Sequence, residues 1–221
     1  MNKKYKISKS AEDVAKDLLN IESIVFNVKD PFTWVSGIKS PVYCDNRRIN
    51  SFVSTRNRVV DAFVQFIAEE FDSVEIIAGV ATGGIPLGIL IADRLNLPFV
   101  YVRQEAKKHG MMKQIEGHFT PNARVVLIED HISTGGSSLK AVDGIRKANL
   151  ELLGLVSIMT YGFQKSVDRF DQASVKYLSL SDLSTALKVA RIEEMISMDH
   201  LESIESFVLD PENWYSAHFS I

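Results

Sequence analysis

Residues 125–148 read VVLIEDHISTGGSSLKAVDGIRKA, and this stretch decides the fold. It opens on a continuous apolar run, VVLI, and ends that run on an acidic pair, Glu129 and Asp130. A short loop rich in Ser, Thr and Gly then leads into a helical pattern. A strand without polar alternation is buried on both faces, and a helix straight after it is the crossover of a parallel sheet. Ligands of such sheets collect beyond the carboxyl ends of the strands. Backbone N–H groups at a helix N-terminus, with hydroxyls beside them, form an anion site. Gly135 and Gly136 let the backbone approach a phosphate closely. Glu129 and Asp130 repel phosphate but accept hydrogen bonds from vicinal hydroxyls. Acid pair and phosphate cradle together point to a ribose 5-phosphate. A plain strand-to-helix loop needs neither the two acids nor the two glycines. The GxxxxGK[ST] and GxGxxG orders are both absent.

The same alternation extends outward. Strands are expected at 24–28, 75–79, 98–102, 124–129, 152–160 and 175–180. Helices are expected at 10–20 (with Ser10 as N-cap), 55–70, 85–95, 136–149, 166–173, 182–196 and 199–209. The expected fold is α/β: one domain over 1–221, a parallel sheet flanked by helices, with a small N-terminal hood formed largely by 1–50. Residues 76–92 carry no charge, yet Gly79, Gly83, Gly84, Pro86 and Gly88 make them a buried strand, a turn and a helix rather than a membrane span.

The chain has 221 residues, 46% apolar and 24% charged, which excludes a disordered, fibrous or disulfide-stapled class. Net charge is −3, so no basic excess points to nucleic acid or a membrane surface. A lone cysteine, Cys44, forms no internal disulfide, and the basic N-terminus lacks an apolar stretch behind it. A reducing, cytoplasmic location is the expectation.

Three further segments could carry chemistry. Residues 103–119, RQEAKKHGMMKQIEGHF, form a long polar loop bearing Arg103, Lys107, Lys108 and Lys113 against Glu105 and Glu116. A charge run alone is most simply a solvated loop; a phosphate site one strand later makes a cationic lid the better reading. The turn VATGG, 80–84, offers N–H groups to an anion, and tight packing explains it equally well. Residues 32–49, FTWVSGIKSPVYCDNRRI, form either a flat-ring pocket or an irregular apolar hood. The five histidines show no metal-ligand spacing, and Cys44 reads as a small buried hydrophobe rather than a nucleophile. Trp214, Tyr215 and Phe219 read as packing aromatics or a dimer contact.

VVLIEDHISTGGSS resembles the phosphoribosyl pyrophosphate (PRPP) motif of type I phosphoribosyltransferases. FTWVSGIKSPVYCDNR and VRQEAKKHGMMKQIEG narrow the resemblance to the orotate phosphoribosyltransferase family, over most of residues 20–165. The resemblance implies transfer of ribose 5-phosphate from PRPP to orotate, giving orotidine 5′-monophosphate (OMP) and pyrophosphate in pyrimidine (UMP) biosynthesis. It implies magnesium held mainly by PRPP and water, and a homodimer with the catalytic loop supplied in trans. By similarity, Glu129 and Asp130 hold the ribose hydroxyls. His131, Ile132, Ser133, Thr134, Gly135, Gly136 and Ser137 wrap the 5′-phosphate, with Ser133 also touching orotate. Arg103, Lys107 and His109 close over pyrophosphate, Ala81, Thr82 and Gly83 form its loop, and Tyr43 and Cys44 line the orotate ring.

The chain departs from the family at four places. Val35 and Gln104 stand where many members have Lys, YGFQKS after Thr160 lacks the Arg that some use for the orotate carboxylate, and His131 replaces an aliphatic residue. Lys39, Arg47, Arg48 and Lys165 are the candidates for that carboxylate, and His131 reads as a loop variant rather than a base. The PRPP motif alone also allows a nucleic-acid-binding PRPP sensor or a purine enzyme. The acidic balance argues against the first, and the FTWVSG and EAKKHG segments against the second.

Overall fold

The computed structural model describes residues 5–105 and 114–219. The chain runs β1 (Lys6–Ile7), α1 (Ala11–Asn20), β2 (Ile24–Phe26), β3 (Phe32–Thr33), β4 (Lys39–Ser40) and β5 (Val42–Cys44), then a short 3-10 helix (Asn46–Ser51). It continues through α2 (Val53–Glu70), β6 (Ile76–Val80), α3 (Gly84–Leu95), β7 (Phe99–Val102), β8 (Ile115–Glu116), β9 (Arg124–Ile132) and α4 (Gly136–Lys147). It closes with β10 (Glu151–Thr160), α5 (Gln164–Gln172), β11 (Tyr177–Asp182), α6 (Leu183–Ile192), α7 (Met198–Leu209) and α8 (Trp214–Phe219).

Seven strands form the main sheet in the order β1-β11-β10-β9-β6-β7-β8, parallel throughout except for the antiparallel β7–β8 pair. The expected parallel α/β sheet is therefore present. Its strands are apolar on both faces because helices cover both. Ile77, Val126 and Ile128 point into one layer with Val59 and Phe63 of α2 and Leu87 and Ile91 of α3. Ala78, Val125 and Leu127 point into the other, with Val142 and Ile145 of α4 and Phe170 of α5. This period-2 partition is what a continuous apolar strand requires between two helical layers. The strand order reverses between β9 and β6, so the turns after these two strands flank a crevice at the carboxyl edge.

The N-terminal part is divided. β1 adds to the main sheet, and α1 packs on α6 and β11. Residues 24–44 instead form two small antiparallel pairs, β2–β5 and β3–β4, outside that sheet.

Several expectations need correction. Strand β9 does not stop at 129: β10 continues to pair with it through His131 and Ile132, so the acid pair lies inside the strand. Residues 103–119 are not all loop, because Ile115 and Glu116 turn back as β8 against Val102 and Tyr101. Helix α6 ends at Ile192, where Glu194 takes a left-handed φ of 56°. Ser10 precedes α1 without capping it by its side chain; its hydroxyl lies 2.8 Å from that of Ser8.

Candidate active site

The turns after β6 and β9 wall a polar cavity of about 230 Å3. It is lined by Ala81, Thr82 and Gly83, by Gln104, and by the run 129–138. Gly135 adopts φ +77° at the head of α4, a left-handed conformation suited to glycine. The first-turn amides of α4 have no acceptor within the helix, so they face the cavity as a ready anion cradle. Arg169 on α5 donates to the carbonyl of Thr134 at 3.0 Å and holds the loop from behind. Ile132 contributes backbone only, since its side chain sits in the core beside Phe170. Ser133 and Thr134 are half-buried and Ser137 is exposed.

The acid pair forms the floor and is buried. Ser138 donates to Glu129 Oε2 at 3.0 Å, and the backbone N–H of His131 donates to Asp130 Oδ1 at 2.8 Å. Burial and the neighbouring Asp130 charge push the Glu129 carboxyl well above its ordinary value. Burial also raises Asp130, but the His131 imidazole and backbone N–H outweigh it and hold that carboxyl low. The two environments thus shift the two carboxyls in opposite directions. His131 Nδ1 lies 3.3 Å from Asp130 Oδ1, at ion-pair distance, without an aligned hydrogen bond.

The glycine turn serves close packing and the cavity at once. A Cβ on Gly83 would collide with the Asp130 carboxylate, and one on Gly84 with the carbonyl of Ile128. The Ala81–Thr82 peptide is cis, and Gln104 Nε2 donates to the Ala81 carbonyl at 2.9 Å. This places Gln104, a departure from the family pattern, on the cavity wall.

A second cavity of about 640 Å3 opens beside the first and shares Thr82, Gly83, Asp130, His131 and Ser133 with it. Its other walls come from residues 33–36, from Tyr43, Cys44, Asp45 and Arg47, and from Tyr161. Trp34 meets Tyr161 edge-on at 5.0 Å between ring centroids, and Tyr43 lies 5.4 Å from Phe32. The segment 32–49 is therefore an aromatic pocket wall. Buried Asn46 locks it onto the acid pair by donating from Nδ2 to the carbonyl of Asp130 at 2.8 Å. Cys44 is buried, with Sγ 3.3 Å from Asn46 Oδ1 and 3.8 Å from Met159 Sδ. Burial pushes its thiol far up, which suits a small hydrophobe and not a nucleophile.

Arg103 stands at the base of the 103–114 segment. Its N–H donates to the carbonyl of Gln114 at 2.9 Å, and its guanidinium pairs with Glu116 at 3.3 Å. Lys107, Lys108, His109 and Lys113 lie outside the described residues. Among the described residues no lysine or arginine lines the smaller cavity.

A model of the phosphoribosyl transferase domain matches residues 54–186, from α2 into α6. The chain is 46% identical to the orotate phosphoribosyltransferase of Streptococcus mutans over 204 residues, covering 92% of this chain and 98% of that one. The chain belongs to the orotate phosphoribosyltransferase family. Among solved structures, the orotate phosphoribosyltransferase of Aeropyrum pernix is 27% identical and superposes with a TM-score of 0.72, over 83% of this chain and 99% of that one. The Leishmania donovani UMP synthase is 25% identical with a TM-score of 0.77, over 90% of this chain and 42% of that chain.

Family membership agrees with the geometry. The structure brings together Thr82, Gly83, Glu129, Asp130 and residues 131–137 in one cavity, and Tyr43 and Cys44 in its neighbour. Sequence reasoning missed Asn46, Ser138, Arg169 and Tyr161. Each acts through a partner distant in sequence, apart from Ser138, which faces Glu129 one strand-turn away. Trp214 packs as expected, buried and donating to the carbonyl of Ser203 at 2.8 Å.

Proposed function

We propose that the chain transfers the ribose 5-phosphate of PRPP to a ring nitrogen of orotate, releasing pyrophosphate and OMP for pyrimidine biosynthesis. One observation carries this reading: a backbone-lined polar cavity meets an aromatic cavity at a buried acid pair. A nucleotide has that order of parts. Its phosphate suits the N–H cradle of 134–138, its hydroxyls suit Glu129 and Asp130, and its flat ring suits the wall of Trp34, Tyr43 and Tyr161.

Breaking the bond between C1 and pyrophosphate leaves positive charge on the ribose and negative charge on the leaving group. Ionised Asp130 lies on the ribose side of that bond, where charge of its sign stabilises the cationic sugar. Departing pyrophosphate needs cations, and the smaller cavity takes none from described lysine or arginine side chains. Lys107 and His109 supply them, with Ala81, Thr82 and Gly83 contributing backbone donors, while Arg103 pairs with Glu116 at the base of their segment. Magnesium would be held mainly by PRPP and water. The carboxylate and hydroxyl oxygens of Glu129, Asp130 and Ser133 would suit such a hard cation, and bound there it would supply charge neutralisation for pyrophosphate. The chain forms a single phosphoribosyltransferase domain and works as a homodimer whose loop reaches the partner's site. A cytoplasmic location is part of the proposal; no helix among the described residues is long and apolar enough to cross a membrane.

The test is product analysis. Incubation with PRPP, magnesium and orotate, adenine or hypoxanthine in turn should give OMP from orotate and no nucleotide from either purine. Nucleotide from a purine but not from orotate would overturn the reading.

A further inference from the structure

The four candidate cations for the substrate carboxylate separate cleanly in space. Arg48 donates from Nε to the carbonyl of Ile21 at 2.9 Å and from Nη2 to Glu22 at 3.3 Å, away from the aromatic cavity. Lys165 pairs with Glu212 at 2.8 Å. Lys39 donates to Thr33 Oγ1 at 2.6 Å and stands 5.8 Å from the ring centroid of Tyr215. Neither lysine lines the aromatic cavity. Arg47 does, and it is the only arginine or lysine among the described residues that does so.

The setting of Arg47 suits a carboxylate grip. Its Nε donates to Asp45 Oδ1 at 2.6 Å, and its backbone N–H donates to the same oxygen at 3.3 Å. One edge of the guanidinium is therefore fixed by a residue two positions away. The terminal nitrogens Nη1 and Nη2 make no hydrogen bond to another described residue. A guanidinium anchored through Nε keeps a two-pronged donor edge for an incoming carboxylate, which is the strong form of that pairing. The adjacent Asn46 ties this segment to Asp130, so the fork keeps a set distance from the ribose site. His131, the other basic residue on the wall, faces Asp130 and offers one ring nitrogen at a time.

We propose that Arg47 is the specificity residue for the base, gripping the carboxylate of the pyrimidine substrate with the guanidinium edge that Asp45 leaves open. This rests on the reading of orotate as substrate. Arg47 then takes over a role that the arginine-free segment after Thr160 leaves vacant.

The test compares OMP with UMP, the same nucleotide without the carboxylate, by calorimetric titration. Wild type should prefer OMP. Arg47→Ala should weaken OMP about 10- to 100-fold, leave UMP within twofold, and keep PRPP affinity. Arg47→Lys should fall between, because it keeps the charge and loses the fork. If Arg47→Ala fails to fold, Arg47→Gln reads the same contrast. Equal weakening of OMP and UMP would show a structural role and overturn the proposal, as would an unchanged OMP affinity. A wild type that turns over orotate with an Arg47→Ala variant of unchanged preference sinks this inference alone. A wild type that neither binds OMP nor uses orotate sinks the reading beneath it.

Discussion

The smaller cavity takes its walls from the turn at 81–83 and from 129–138, the end of β9, its loop and the start of α4, with Gln104 beside them. The larger one gathers residues 33–36, 43–45, Arg47, 82–83, 130–131, Ser133 and Tyr161. The first is mainly backbone, glycine and hydroxyl, fixed by the end of one strand and the start of one helix. The second is mainly side chain, and its shape depends on how a separate pair of small sheets sits over the strand ends. A phosphate is the same in every nucleotide, so a backbone cradle suffices for it. A base differs between substrates, so its pocket is built from side chains, which can change without altering the fold.

The contrast can be pressed experimentally. Loss of a cation proposed for pyrophosphate should cost most. Lys107→Ala should lower turnover about 10²-fold or more, the scale for removing a transition-state charge partner. Steady-state assays showing a change within twofold would remove the loop from the chemistry. Next comes the junction. Asp130→Asn should weaken PRPP about tenfold, and orotate less. Calorimetry with the reverse order would place the ribose elsewhere. In the larger cavity, Tyr43→Ala should raise the KM for orotate about fivefold and leave that for PRPP alone, since the ring is part-exposed at 42%. Equal changes in both constants would dissolve the distinction between the cavities.

The smallest effect concerns the shared wall. Burial lowers the His131 pKa, but Asp130 outweighs it and the net direction is up from 6.5. A base with a raised folded-state pKa stabilises the protein fully below its unfolded value, and that contribution fades as pH climbs through the folded value. Melting curves from pH 6 upward should show this loss in wild type and a flatter profile in His131→Leu. Identical profiles would mean that the pair adds nothing.

Legibility in the sequence follows the same contrast. The cradle lies in one continuous run, so VVLIEDHISTGGSS showed strand, acids and phosphate turn together. The parallel sheet was legible for the same reason, because buried strands and amphipathic helices are local patterns. The pocket wall was ambiguous: 32–49 read as a ring pocket or an irregular hood, and the Asn46–Asp130 bond that helps join it to the site spans 84 positions. The end of β9 was misplaced because a strand ends where its neighbour stops pairing, and Met159 and Thr160 of β10 are remote in sequence. β8 went unseen since two residues, Ile115 and Glu116, are too few to show a period.

A crystal structure with OMP bound tests the joined cavities most directly. The account predicts the phosphate on the amides of 134–138, the ribose hydroxyls at Glu129 and Asp130, and the pyrimidine ring beside Trp34, Tyr43 and Tyr161. A phosphate bound away from that cradle, or a ring outside the aromatic cavity, would contradict it.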